Sequence, residues 1–277
     1  MKKQSITVRR GRYYRTSLRN TAIYKHYPQS QSIVIFIHGI IEGPKQFRRL
    51  GQIAYEEGLS IDVLLLPGHG GSGEAFGRTC YKEWIEYVSL QVQRMKKRYQ
   101  NIILAGHSMG ALLALCETAA FPEQIIGLVL MDTPLILRLW PRVVKGAVKI
   151  IKDKGQGLDA YTRAEYHAIS VNQTTPRGYL KWMMRYLELF SLVRYTRKQI
   201  KKVKVPLLLI FAAKDEFVSL KGRKYFAEKE ELRGEMTQKA KEITELILKD
   251  SGHFCYHHED LLQLEDTFRR FIKKMRC

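Results

Sequence analysis

Residues 101–117 read NIILAGHSMGALLALCE, and this stretch decides the fold. An apolar run over Asn101–Ala105 leads into Gly-His-Ser-Met-Gly at residues 106–110, and a second apolar run follows. The pattern predicts a buried strand, a tight turn and a helix, with glycines where the two backbones approach each other. Ser108 would be exposed on that turn, beside helix N–H groups that stabilise a negative oxygen. Ser108 is therefore a candidate nucleophile.

The pentapeptide by itself is weak evidence, because roughly one random chain in ten of this length contains it at average composition. The alternative is an ordinary glycine-rich turn between a strand and a helix. A serine that transfers acyl groups also needs a base, an acid that orients the base, and two N–H donors. The rest of the chain has to supply these partners.

The candidate base is His253, which follows the last predicted strand, Glu245–Leu248, in a turn that Gly252 permits. A histidine in a surface loop is the plain alternative. His257 and His258, at the predicted start of a helix, are alternative candidates for the base. His69 and His107 are expected to be structural residues of tight turns.

The candidate acid is Asp215, which lies just past the apolar run Val205–Ala212. A carboxylate there could accept the imidazole N–H and fix the histidine tautomer. Glu216 is a neighbouring rival, and Asp132, at the end of the preceding predicted strand, is a second one.

Two backbone N–H groups are candidates for an oxyanion hole. The first is that of Met109, directly after the serine, and the second is that of Ile40, in the loop after the predicted strand Ser32–Ile37. Gly39 allows the backbone of that loop to come close to a ligand, and His38 is expected to brace the loop.

Apolar runs alternate with helical patterns along the chain, which predicts a mainly parallel sheet covered by helices on both faces. Residues 5–10 and 21–27 are predicted to form an N-terminal hairpin. The other predicted strands are Ser32–Ile37, Ser60–Leu66, Asn101–Ala105, Ile125–Met131, Val205–Ala212 and Glu245–Leu248.

The stretch 134–203 breaks this alternation, because it contains helical patterns at 135–151, 161–170 and 179–195 and no convincing strand. It is predicted to be a small helical lid inserted into a core formed by residues 1–133 and 204–277. Four apolar residues of the lid are candidates for a substrate pocket, although the same residues could simply pack the lid onto the sheet: Trp140, Trp182, Met183 and Phe190.

These motifs together resemble the α/β-hydrolase superfamily, and within it the lysophospholipase, monoacylglycerol lipase and carboxylesterase group. The matching pieces are His38-Gly39 followed by Pro44 and Phe47, residues 66–73 (LPGHGGSG), residues 106–110, Asp215-x-x-Val218 and residues 251–253 (SGH). They extend over most of the chain, from about residue 32 to residue 255.

The resemblance implies a cofactor-independent serine esterase or lipase that acts on a small-molecule or lipid ester. Ser108 would attack, His253 would move the proton, and Asp215 would orient His253. Expected substrates are monoacylglycerols, lysophospholipids or medium-chain acyl esters. Two alternatives stay open: another hydrolase on the same fold, such as an aminopeptidase, thioesterase or C–C hydrolase, or a binding protein without catalysis.

The 277-residue chain is strongly basic, with 47 Lys and Arg against 27 Asp and Glu and a formal net charge of +20. The basic residues are spread along the chain and match no nucleic-acid module, so we expect no nucleic-acid partner. A solvated basic surface is the plain interpretation, and peripheral contact with an anionic membrane surface is the alternative.

The N-terminal residues lack an apolar leader, and no run of 18 apolar residues occurs, so the sequence predicts a cytoplasmic protein. No Cys-x-x-Cys pair or dinucleotide-binding glycine pattern is present, so we expect neither a metal ion nor a cofactor. The oligomeric state is left open. Scattered cysteines fit free thiols: Cys80, Cys116, Cys255 and Cys277.

Overall fold

The computed structural model describes residues 20–138, 145–150, 157–231 and 242–276. Within these residues a seven-stranded sheet has the order β1-β3-β2-β4-β5-β6-β7. β1 pairs antiparallel with β3, and every other neighbouring pair is parallel. The strands are β1 (Ile23–Lys25), β2 (Ser32–Ile37), β3 (Ser60–Val63), β4 (Asn101–His107), β5 (Ile125–Met131), β6 (Leu207–Ala212) and β7 (Ile243–Leu248).

Helices connect the strands and cover the sheet. Short 3-10 turns precede α1, follow α6 and precede α7, and residues 145–150 are also helical. The labelled helices are α1 (Arg48–Glu56), α2 (Gly73–Arg78), α3 (Tyr81–Lys96), α4 (Met109–Ala120), α5 (Ala160–Ala168), α6 (Pro176–Gln199), α7 (Lys224–Glu231) and α8 (His258–Arg276).

β2 shows why the central strands are continuous apolar runs. Ile33, Ile35 and Ile37 point into one core together with residues of α3, α4 and α6. Val34 and Phe36 point into the opposite core with residues of α1 and α8. Because successive side chains alternate between faces, a strand buried on both sides needs an apolar residue at every position. The predicted mainly parallel, doubly covered sheet is confirmed.

The insertion differs from the prediction at its start. Residues 135–138, expected to begin a helix, instead run beside the segment that follows β6. Arg138 N–H donates to Phe217 O at 2.8 Å, and Ser219 N–H donates to Ile136 O at 2.9 Å. The apolar residues here made a helix plausible, but the backbone of this segment bonds to the segment after β6 instead of forming helical hydrogen bonds.

α5 and α6 lie between β5 and β6 in the chain, as the predicted insertion requires, and α6 packs on α2 and α4. The domain boundaries at residues 134 and 203 stay a prediction. The predicted hairpin strand at 5–10 and the candidate pocket residue Trp140 lie outside the described residues. In the described ranges no helix has both the length and the hydropathy needed to cross a bilayer.

The turn between β4 and α4 is as tight as the glycine pattern indicates. A Cβ atom on Gly106 would overlap the carbonyl of Gly110, and one on Gly110 would overlap the carbonyl oxygen of Ile37 in β2. Neither glycine has a positive φ. Their role is therefore close backbone approach rather than an unusual conformation.

The variant Gly110→Ala should lose more than about 3 kcal/mol of the free energy of unfolding, because two backbones would have to separate. Chemical denaturation followed by circular dichroism measures this loss. The matched control is Gly71→Ala, where an added Cβ meets nothing within 4 Å. Equal stability of the two variants would contradict the close approach.

Candidate active site

Ser108 is the residue between β4 and α4, and its backbone is strained. Its φ is 53° and its ψ is −121°, a conformation that non-glycine residues rarely adopt. Its N–H donates to Met131 O at 2.9 Å, and the residue is 6% exposed. Strain of this kind persists only where the surroundings impose it, and it is typical of functional sites.

His253 and Asp215 form a short, buried hydrogen bond, with 2.6 Å between His253 Nδ1 and Asp215 Oδ2. The other carboxylate oxygen of Asp215 accepts the N–H groups of Phe217 and Val218, each at 2.7 Å. Burial lowers the pKa of His253, but Asp215 outweighs it, so the net shift is upward. A proton held at Nδ1 leaves Nε2 as the basic nitrogen.

The rival acids have other partners. Asp132 Oδ1 accepts Ala212 N–H at 2.7 Å and so connects the end of β5 to the end of β6. The backbone of Asp132 has a positive φ of 45°. Glu216 Oε2 accepts the backbone N–H of His253 at 3.3 Å. The carboxylate on the imidazole of His253 is that of Asp215.

None of three other histidines, His257, His258 and His107, forms the hydrogen bond with Asp215 that His253 forms. His257 donates its backbone N–H to Ser251 Oγ, and His258 begins α8. The ring of His107 has its centroid 4.7 Å from that of His253. Because His107 directly precedes Ser108, this contact places His253 beside the serine turn.

His38 and His69 brace the loop after β2. His38 donates from Nδ1 to Gly39 O at 2.9 Å and accepts Leu66 N–H at Nε2 at 3.1 Å. His69 donates from Nδ1 to Pro67 O and accepts Ile41 N–H at Nε2 at 3.2 Å. Burial lowers the pKa of both rings, for His69 to about 4. Both are neutral at pH 7 and can accept a hydrogen bond at Nε2.

Glu42 is a site residue that sequence reasoning missed. The residue is 1% exposed, and its carboxylate accepts Gly39 N–H at 3.0 Å and lies 3.0 and 3.1 Å from Nδ1 of His107. Burial opposes a charged His107, but Glu42 and Asp132 outweigh it and raise the pKa of His107 to about 10. The sequence signal was one acid in an apolar loop, Ile40-Ile41-Glu42-Gly43.

A cavity of about 750 Å³ adjoins the loop after β2 through Ile41 and is walled by α5 and α6. Trp182 and Met183 line it; Trp182 is fixed by a 2.8 Å bond from Nε1 to Gly73 O, and Met183 is 59% exposed. Phe190 is 46% exposed and lies outside the lining. The cavity is therefore largely apolar and bounded by the insertion.

Glu165 is a second residue that the sequence analysis missed, and it lines this cavity. Burial raises its pKa to about 7, and Glu216 adds to the shift while His253 opposes it. Residues four apart lie on the same face of a helix, and Glu165 is four residues before Ile169, which also lines the cavity. This spacing is the sequence signal that could have identified Glu165.

Within the described part of the chain, two sets of side chains bring one potential ligand atom each to within 4.8 Å of one another: Glu42 with His107 and His253, and Asp132 with Asp215 and His253. Such closeness is a requirement of a metal site, but it is not specific to one. The hydrogen bonds between His253 and Asp215 and between His107 and Glu42 account for the same closeness.

The family model for Hydrolase_4, described as serine aminopeptidase, S33, matches residues 28–244. The chain belongs to this family. Residues 38–42 and the serine turn both fall inside the matched range.

Two curated relatives are a thermostable monoacylglycerol lipase and a phospholipase. The lipase of Bacillus sp. strain H-257 is 31% identical over 96 residues, which is 35% of this chain and 38% of that protein. The phospholipase YtpA of Bacillus subtilis is 26% identical over 203 residues, 68% of this chain and 77% of that protein. The first alignment thus spans less than two fifths of the relative it matches.

Solved structures with this fold include a monoacylglycerol lipase from Paleococcus ferrophilus, with a TM-score of 0.63, 19% identity, and coverage of 92% of this chain and 97% of that one. A soluble variant of monoglyceride lipase from Saccharomyces cerevisiae, in complex with a substrate analog, has a TM-score of 0.65 and 14% identity. The match covers 92% of this chain and 91% of that one. The Hydrolase_4 protein therefore has the α/β-hydrolase fold that the motifs predicted.

The variant Glu165→Gln should raise the melting temperature at pH 8 and have little effect at pH 4. The pKa of Glu165 is raised in the folded protein from 4.5 to about 7, so the folded state loses stability as pH rises through this range. An amide removes that dependence. Differential scanning calorimetry at both pH values measures it, with the exposed Glu83→Gln as control. An equal shift at both pH values would contradict the titration.

Proposed function

We propose that this Hydrolase_4 protein is a serine hydrolase of carboxylic esters that works through an acyl-enzyme on Ser108. The observation that carries the proposal is the buried His253–Asp215 hydrogen bond beside a strained serine at the start of α4. These are the base, the orienting acid and the nucleophile of acyl transfer, in the chain order Ser, Asp, His that this fold uses.

In the proposed reaction, His253 Nε2 takes the proton of Ser108 as the serine oxygen attacks the ester carbonyl carbon. The imidazolium is stabilised by Asp215, and it then protonates the alkoxide that leaves when the tetrahedral intermediate collapses. Water attacks the acyl-enzyme with His253 again as base, and the carboxylic acid is released. Each proton taken up is returned, so the enzyme ends as it began.

The oxyanion would be held by the N–H groups of Met109 and Ile40. Met109 is the first residue of α4, where helix N–H groups have no partner within the helix. In the loop after β2, the N–H groups of Gly39 and Ile41 are taken by Glu42 and His69. Ile40 N–H lies between these fixed groups, which supports its role as the second donor.

Lipid esters are the substrates we propose, namely monoacylglycerols, lysophospholipids or medium-chain acyl esters. The apolar cavity has a volume of about 750 Å³, within the range of small-molecule sites. Glu165 supplies a polar group in it that can accept a hydrogen bond from a hydroxyl of the alcohol portion. The names of the relatives point to the same substrate class.

An aminopeptidase is the second candidate, favoured by the family description and by the same Glu165. A carboxylate in the cavity could pair with an α-amino group as well as with a hydroxyl. Matched ester, amide and thioester substrates with one acyl group separate these activities. Faster cleavage of an N-terminal amide than of the ester would favour the aminopeptidase.

A fluorophosphonate should label Ser108, and p-nitrophenyl esters of two to sixteen carbons should show a rate optimum at medium or long chains. Ser108→Ala should lose labelling and lower kcat at least about 10³-fold, because the acyl-enzyme cannot form. Peptide mapping identifies the labelled residue. Parent-like turnover by Ser108→Ala would refute the proposal.

The acid is tested in the same assay. Asp215→Asn should lower kcat about 10³- to 10⁴-fold, because an amide favours the wrong tautomer of His253. Asp132→Asn, a matched change at the neighbouring strand end, should have a much smaller effect. A reversed order of the two variants would assign the acid to Asp132.

Contact with an anionic membrane surface is the partner we propose, through the exposed face of α6. Spacings of three and four residues align its apolar side chains on one face, and each is between 46% and 69% exposed. Exposed basic residues lie at both ends of this face, among them Lys181 and Arg194. The apolar residues are Leu180, Met183, Met184, Leu187 and Phe190.

The double variant Leu187→Glu with Phe190→Glu should sediment at least about fivefold less with vesicles of anionic and zwitterionic phospholipid, because it places charge in the apolar face. Raising the salt should weaken wild-type binding, because surface attraction is screened. The control is Leu262→Glu, a residue of α8 that is 52% exposed. Equal losses in both variants would contradict a specific face on α6.

A further inference from the structure

Glu42 connects the two turns that form the candidate site. One carboxylate oxygen accepts Gly39 N–H in the loop after β2, and both oxygens lie within 3.1 Å of His107 Nδ1 at the end of β4. Both side chains are almost fully buried, at 2% exposure or less. A single carboxylate thus bridges the residue before Ile40 and the residue before Ser108.

The loop is built around this carboxylate. A Cβ on Gly39 would lie 2.5 Å from Oε1 of Glu42 and 2.7 Å from its carboxyl carbon. Any side chain at position 39 would therefore displace the carboxylate from His107. Ser170, just after α5, also donates its hydroxyl to the backbone carbonyl of Glu42, which ties the insertion to the same point.

The far side of His107 faces the catalytic pair. His107 Nε2 lies 3.7 Å from Asp132 Oδ2, and the ring contacts that of His253. The carboxylates on either side of the ring outweigh burial, which is why the pKa of His107 is raised to about 10. The two carboxylates therefore favour the protonated form of His107, which lies buried between them.

We propose that Glu42 and His107 are positioning residues: their buried contact holds the loop that carries Ile40 against the serine turn. The inference rests on the proposed serine-hydrolase function. The proposed reaction gives neither residue a bond to the substrate or a proton to transfer. Both act through neighbours, because Glu42 fixes Gly39 N–H and His107 directly precedes the nucleophile.

The charge of His107 has its own effect on the base. It lowers the pKa of His253, against the upward effect of Asp215 and Asp132. The other ionisable groups around this region come from the loop after β6, the insertion, the loop before α8 and the loop after β2: Glu216, Glu165, Tyr256 and Glu42. Loss of the positive charge would make His253 easier to protonate.

The test is Glu42→Gln, which keeps the size of the side chain and removes one of the two negative charges that favour the protonated form of His107. We expect kcat to fall at least tenfold with KM within twofold, because the oxyanion contacts strengthen in the transition state. We also expect the acidic limb of the kcat/KM profile to move to higher pH, since His253 binds its proton more readily. Ser108 should still be labelled by the fluorophosphonate, but more slowly.

The control is Glu117→Gln, which removes another buried carboxylate, 4% exposed, from α4. A kcat of Glu42→Gln within threefold of wild type, an unmoved acidic limb, or an equal loss in Glu117→Gln would each overturn the inference. If Glu42→Gln does not fold, His107→Asn is measured instead, with the same expected losses. A wild-type protein that is neither labelled nor active would instead refute the proposed function.

Discussion

The close approach of β2, β4 and α4 at one point is the constraint on which the site depends. Ile37 of β2 pairs with Gly106 of β4, and Gly110 of α4 lies against the carbonyl of Ile37. No side chain fits between these backbones. The loop after β2 and the serine turn are therefore direct neighbours.

Buried charge is the second organising element of the site. Asp215, Glu42 and Asp132 are each 1% exposed, and each meets a histidine nitrogen or a backbone N–H. Charged groups in such surroundings are tolerated when partners satisfy them, and they become costly when one partner is removed. The histidines divide by partner: those facing carboxylates gain protons readily, whereas His38 and His69, facing backbone, stay neutral.

The sequence predicted the sheet well because strands buried on both faces leave continuous apolar runs, and β2 and β5 have the predicted ends. It failed where tertiary pairing overrides local pattern, as at residues 136–138. Glu42 and His107 were not paired in advance because they are 65 residues apart and no spacing rule joins them. The motif residues came from local pattern and resemblance, and their catalytic roles stay predictions.

The two neutral histidines that brace the loop after β2 also set an acid limit on the scaffold. Folding lowers the pKa of His69 from 6.5 to about 4. Between these two pH values, the unfolded chain binds a proton at His69 that the folded protein does not bind. Lowering the pH through this range therefore destabilises the folded state. Once Nε2 of His69 is protonated, it can no longer accept the Ile41 N–H. The loop that carries Ile40, the proposed oxyanion donor, is therefore expected to lose its bracing hydrogen bond in acid.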